Sequence, residues 1–396
     1  MFILILTVLS CEYETPTSLW DPDREGTPTP VITGVNPPLS ALSGVTKIEI
    51  TGEHFGAAAE LNTVYFNLEK GQILTASAGQ LTVVPPKLVG DSVTIKVVVQ
   101  SAFQPALYTP YRLEAAYLDI IEEEQVYSMA VDCDENLYVH ARGRVINKLT
   151  PEGDLSEYGA IDFIYSSCMR IGPAQTLYIQ KRDDRSLFSI AAGGGESEEA
   201  VRFPRKTNFF DFDQNGNIYA GGNRTGIYVV DPGGNITTVD YYEESDIRSV
   251  RVYGGYVYVA VAGEKTGIWK NEILTEAGAL GEPVEVFDWA NSGDFSHSDL
   301  LDMTFSEDGE IVVGTNRNEE STDEASRFDP ILIIGNDGSL ETLYTGLIKS
   351  PAVCLCWGNG QYLYDSRLTS GRSNSGVSRV SMEKTGAPYY GRGCPP

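Results

Sequence analysis

The sequence predicts an all-β chain, with a small β-sandwich followed by a six-bladed β-propeller. Two observations carry that reading. The first is a phrase, Asp-Phe-Asp-Gln-Asn-Gly-Asn-Ile-Tyr-Ala at 211–220, that reads as a strand, a tight turn and a second strand. Asn-Gly between apolar runs is a strong hairpin signal, because both residues adopt φ > 0 at little cost. The phrase recurs in degenerate form at 131–139, 171–179, 251–259, 305–313 and 357–364. Its aligned apolar positions are Leu137, Leu177, Ile218, Val257, Ile311 and Leu363, spaced by 40, 41, 39, 54 and 52 residues. A hairpin repeat with a period of about 40 is what four-stranded propeller blades produce, and six copies mean six blades. The second observation is composition. Forty glycines, twenty prolines and twenty-two tyrosines, without long helical periodicity, mark a turn-rich β protein. At 396 residues the chain has room for two domains, each with its own core.

Charge and cysteines narrow the function classes. Lys and Arg number 29 against 55 Asp and Glu, a formal charge of −26. Binding nucleic acid through its phosphates needs clustered Lys and Arg, so no nucleic-acid partner is expected. The six cysteines are Cys11, Cys133, Cys168, Cys354, Cys356 and Cys394, and none sits in a CxxC pair or at zinc-ligand spacing. Cys354 and Cys356, two apart on a predicted strand, share a face. One or two disulfides fit an oxidising compartment, and at least three cysteines are expected to be small buried hydrophobes.

Residues 1–11 form an apolar run too short to span a bilayer and read as a secretory h-region. Val8-Leu9-Ser10-Cys11 resembles the lipobox of bacterial lipoproteins. That resemblance implies lipidation of Cys11, which then becomes the mature N-terminus and the membrane anchor. The acidic Glu12-Tyr-Glu14 is similar to signals that send lipoproteins to the outer surface of Bacteroidetes-like bacteria. It implies a secreted protein anchored at the outer membrane or cell surface. Residues 12–29 lack periodicity, carry repeated prolines and read as an extended tether.

Residues 30–113 alternate strands and turns. Their key pieces are 30–37, 43–56, 64–66 and 81–86, with 93–99 as a late strand whose alternate residues face inward. In order and spacing they resemble the IPT/TIG family of immunoglobulin-like domains. Gly52-Glu-His-Phe-Gly56 matches the family's Gly-x-Asn-Phe-Gly turn, with His54 in place of Asn. The resemblance implies an immunoglobulin-like β-sandwich acting as a spacer or interaction module.

Residues 114–396 are the predicted propeller, and in repeat length and turn sequence they resemble NHL-type and related six-bladed propellers. Residues 117–121 form a strand without a blade, while the sixth blade shows three strong strands ending at 377–381. The early strand is therefore expected to complete blade six from outside, which hides both sheet edges.

Candidate chemistry is sparse. Asp211-x-Asp213-x-Asn215-Gly216 opens like a calcium loop, but the twelfth position, where a bidentate carboxylate belongs, is Gly222. The turn reading is favoured. No nucleophile elbow, P-loop or HExxH is present, and no cofactor or metal site is expected. Related lactonase propellers hold a divalent metal with Glu, Asn and Asp, and lyase members use histidines. With only His54, His140 and His297 in the chain, a three-histidine propeller site is excluded.

Loop length points elsewhere. In a blade, the loops joining second to third strands and blade to blade lie on one face, where ligands usually bind. Long loops at 289–299, 315–327 and 365–375 open there on this reading, with 140–144 and 181–185 beside them. Trp289 offers a ring to stack on a sugar. Asn316, Arg317 and Arg367 offer hydrogen bonds to hydroxyls or carboxylates, and His140, Arg142 and His297 complete the candidate ligand-binding set. The function favoured by the sequence is non-catalytic capture of an extracellular glycan or protein. The alternative is a metal-dependent hydrolase or lyase working in the central channel.

Overall fold

The computed structural model describes residues 25–317 and 329–389. The expected signal segment, Cys11 and most of the tether lie outside these residues, as does most of the loop expected at 315–327. The chain divides between Glu114 and Ala115 into two compact units.

The first unit is a sandwich of two sheets. One pairs Val31–Asn36, Ile48–Glu53, Gln80–Val84 and Gln72–Ala76 in that order. The other orders Ser40–Leu42, Ala106–Glu114, Gly90–Val99, Asn62–Phe66 and Glu69–Lys70. Alternation places Ile48, Ile50, Leu81, Val83, Val93, Ile95 and Val97 in one shared core, closed by Phe66 and Tyr111. In the Gly52–Gly56 turn, His54 has φ 61°, the left-handed region where Asn and His are enriched. Its Nδ1 lies 3.1 Å from the Thr29 carbonyl. A side chain at Gly52 would collide with the Val31 carbonyl and the Phe55 ring, so the turn requires glycine there.

The second unit contains six sheets, each with four antiparallel strands and the first carrying Gly195–Glu196 as a fifth, parallel strand, and the first strand of each touches the first strand of the next around a closed ring. These first strands are Val126–Val131, Ser166–Ile171, Phe209–Phe212, Ser245–Tyr253, Leu300–Phe305 and Cys354–Trp357. The ring closes between the last and the first of them. The six positions aligned from the sequence all fall on second strands, and all are buried. The cores lie between neighbouring blades; one joins Ala260 and Ile268 of blade four to Met303, Phe305 and Val313 of blade five.

Closure follows the expected route. Tyr117–Glu122 is the outer strand of blade six, antiparallel to Gly376–Ser381, with Tyr117 opposite Val380 and Glu122 opposite Gly376. Blade six is thus built from both ends of the unit.

The repeated turn owes its sequence to one carboxylate. Asp213 accepts hydrogen bonds from the backbone N–H groups of Asn215 and Asn217, from the Asn217 amide and from the Tyr219 hydroxyl, at 2.7–2.9 Å. Asp132 takes the same bonds from Asp134, Asn136 and Tyr138. With both oxygens engaged by the turn itself, Asp213 acts as a structural acceptor.

Cys168, Cys354 and Cys356 are buried and outside any disulfide, and Cys133 is disulfide-bonded.

Candidate functional site

The first strands enter the ring irregularly, and that irregularity builds a cavity. In blades one, two, four and five the pairing of first with second strand slips by one residue near its start. The residues left over are Tyr127, Ser167, Arg248 and Leu301, and all four line a cavity of about 260 Å³ at the channel mouth. Blades three and six make the same two-to-one contact. The N–H groups of Asn208 and Val353 bond the carbonyls of Gly221 and Ser366, which pair with the following residues, Phe209 and Cys354. All four of those first-strand residues also line the cavity. A β-bulge re-aims a side chain that regular pleating would bury between blades.

Side chains staple neighbouring first strands around the ring. Ser128 and Ser166 hydroxyls meet at 2.5 Å, and Ser167 donates to the Asn208 carbonyl at 2.7 Å. Asp211 accepts from the Val252 N–H at 2.9 Å. Asp302 accepts from the Ser249 hydroxyl at 2.6 Å and from the Leu355 N–H at 2.8 Å. The channel carboxylates Asp211 and Asp302 are therefore spent on holding blades together.

The cations are placed differently. Arg170, Arg182 and Arg248 line the cavity, against the carboxylates of Asp183 and Asp302. None of the three arginines is ion-paired among the described residues. Arg170 is 7 % exposed; its Nη1 donates to the Met169 carbonyl at 2.9 Å. Its Nε, like that of Arg248, is buried without a hydrogen-bond partner among the described residues. Burial pulls the Arg170 pKa down, but the fields of Cys168, Asp302 and Asp211 outweigh it and hold the guanidinium protonated. Arg182 sits at the rim, 5.2 Å from the centre of the Tyr127 ring. Burial pushes the Cys168 and Cys354 thiols up, so they are poor nucleophiles.

The other end of the channel is narrower. Tyr389 stacks on the Arg251 guanidinium at 3.9 Å and hydrogen-bonds Thr304. Arg251 in turn lies 3.5 Å from Asp211. What remains there is a hollow of about 20 Å³ between Arg170, Arg251 and Tyr389.

The candidates chosen from the sequence fare unevenly. None of the seven lines this cavity. Trp289 is 1 % exposed in the core between blades four and five, with its indole N–H donating to the Ser298 carbonyl at 2.8 Å. That corrects the expectation of a ring presented to a sugar: the indole fills the blade junction. Arg317 is 4 % exposed over the Phe295 ring at 4.3 Å. Arg367, also 4 % exposed, is bound to Asp119 at 2.6 Å and to the Tyr117 hydroxyl at 2.5 Å, which anchors the closing strand. His140 is fully buried, 2.5 Å from the Ser166 hydroxyl. These three also turn inward, because a buried cation or ring near a blade junction finds its partners within the fold. His297, Asn316 and Arg142 are exposed. Asn316 is held by Asp299 through bonds of 2.7 and 2.9 Å. Arg142 lines a separate hollow of about 440 Å³ beside Glu122 and Glu124.

The residues that do build the pocket carried no clear sequence signal: Arg170 shares its strand with Ser166 and Ser167, and Arg248 shares its strand with Ser245, Asp246, Ser249 and Arg251.

Residues 30–112 match the family model of the IPT/TIG domain. No curated protein matches the chain. Among solved structures, the chain is similar to an auxiliary nutrient binding protein from Bacteroides thetaiotaomicron (TM-score 0.52, 12 % identity, covering 91 % of this chain and 99 % of that one). It is also similar to a phosphatase candidate from the same organism (TM-score 0.55, 11 % identity, 89 % and 97 %). A gluconolactonase from Xanthomonas campestris matches over 81 % of this chain and 97 % of its own (TM-score 0.51, 13 % identity). At such identities the likeness is one of fold.

Proposed function

We propose that this protein captures an extracellular ligand, glycan or protein, at the open face of its propeller without transforming it. On this reading a lipid on Cys11 holds it at the bacterial outer membrane or cell surface, and residues 12–29 act as a tether. The observation that supports it most is the cavity at the channel mouth, lined by residues that bulges turn out of the blades. A ligand-binding neighbour with the same layout, the auxiliary nutrient binding protein, agrees with it. The exposed His297, Asn316 and Arg142 serve as outer contacts for a ligand larger than the pocket.

The gluconolactonase likeness raises the rival reading, a metal-dependent hydrolase or lyase. Two features favour capture. The channel carboxylates are bonded to neighbouring strands, and arginines line the pocket and would repel a divalent cation. Among the described residues no three His, Cys, Asp or Glu side chains converge to hold a metal.

The test is calorimetric titration with a saccharide panel, run beside lactone-hydrolysis assays with added calcium or manganese. Capture predicts saturable binding with the ligand recovered intact. Metal-dependent turnover above the uncatalysed rate, lost on substituting Asp302, would establish the enzyme instead.

A further inference from the structure

We infer that the pocket recognises a carboxylate, and that its ligand is an acidic sugar docked between Arg170 and Arg248. The inference rests on the capture reading and names the ligand class for that same site.

The protein carries a net charge of −26, yet three arginines and two aspartates line this cavity. Asp302 is occupied by three donors, and Asp183 accepts from the Asn208 amide at 3.1 Å. Each guanidinium is without an ion pair among the described residues, and Arg170 and Arg248 keep a buried Nε without a partner. The fields of Asp302 and Asp211 keep Arg170 charged, but they leave its Nε without a hydrogen bond, and a buried N–H donor in that state is costly until a ligand oxygen meets it. Arg170 is held at the floor of the mouth by its own strand, and Arg248 is aimed there by its bulge. Two guanidinium groups are suited to a planar carboxylate, since their N–H groups match its two oxygens.

The charge balance separates a carboxylate from a phosphate. One surplus positive charge suits a monoanion and leaves a dianion under-compensated. The rest of the lining fits a sugar ring: Tyr127 and Phe209 offer apolar faces, and the exposed Asn223 offers its amide to hydroxyls. A volume of about 260 Å³ limits the buried part to about one residue of a glycan.

The experiment is calorimetry of the full chain with glucuronate and galacturonate, each beside glucose, galactose and glucose 6-phosphate. At least one acid should bind ten-fold or more tightly than its neutral parent, with affinity falling as salt rises. Arg248→Gln should reduce that affinity at least ten-fold, while Arg248→Lys recovers part of it. Arg248 is half-buried, so both variants should keep the wild-type melting temperature, and Arg170→Gln serves as the second probe. Equal binding of acid and neutral sugar overturns the inference, as does indifference to both arginine substitutions, preference for the phosphate or no binding of either acid. If a neutral sugar binds and Phe209→Ala abolishes it, capture stands and only the carboxylate falls. If no saccharide binds and lactones are hydrolysed, both fall.

Discussion

The two faces of the propeller use polar residues in opposite ways. On the turn face, Asp132 and Asp213 each gather backbone N–H, amide and hydroxyl donors into a closed set, and the hairpin recurs in degenerate form in the other blades. On the mouth face, bulges break the pairing, and Arg170 and Arg248 keep donors still to be satisfied. The repeated motif is thus a device for stability, and the departures from the repeat are where recognition gathers. A polar group whose bonds are all met locally has nothing left to offer a ligand.

The largest expected effect tests whether the ring is one cooperative object. Deleting 114–122 removes the outer strand of blade six, bares a sheet edge and strips Arg367 of Asp119. The product should aggregate in size-exclusion chromatography. A monomeric variant with a cooperative melt would break the closure argument.

Next comes Trp289, a large residue of the mouth face that behaves like core. Trp289→Ala should lower stability by about 3–5 kcal/mol in denaturant melts, since it empties a packed junction. Any folded fraction should keep its ligand affinity. A stable variant with lost binding would return Trp289 to the recognition surface.

On the turn face, Asp213→Ala orphans four donors and should cost about 2 kcal/mol or more without altering affinity. If affinity falls while stability holds, the division of labour between the faces is reversed.

The pH dependence sharpens the comparison, because the mouth-side ends of the second strands carry two buried titrating groups. Burial holds His140 down to about 4, with Arg182 adding to that and the Gly143 carbonyl opposing. Its contribution is fully present above the ordinary value of 6.5 and is lost as pH falls through about 4. Burial pushes Asp365 up to about 7, against the pull of Arg367, and neither of its oxygens has a hydrogen-bond partner among the described residues. Its contribution is fully present below the ordinary value of 3.8 and is lost as pH rises through about 7. Melting curves across pH should show His140→Gln flattening the acid side and Asp365→Asn flattening the side above neutrality. Unchanged limbs in either variant would mean that the group titrates as it does in the unfolded chain.

The smallest effect is expected at the exposed rim. His297→Ala should change stability by no more than about 0.5 kcal/mol and alter affinity only for ligands that extend beyond the pocket.

What the sequence determined by itself was local and periodic. Hairpin turns announce themselves because Asp, Asn and Gly solve a problem within a few residues, so the six second strands could be placed from Leu137 to Leu363. The closing strand was legible for a related reason: an unpaired apolar strand at 117–121 and a blade lacking one strand require each other. The binding residues needed the tertiary structure. Trp289, Arg317 and Arg367 sit in or beside long loops and look like ligand contacts, but whether they face outward depends on Ser298, Phe295 and Asp119, partners that composition does not reveal. The bulges at Tyr127, Ser167, Arg248 and Leu301 depend on how one strand meets its neighbours across the ring. One slipped residue turns a side chain from the blade junction into the channel, and no local pattern records it.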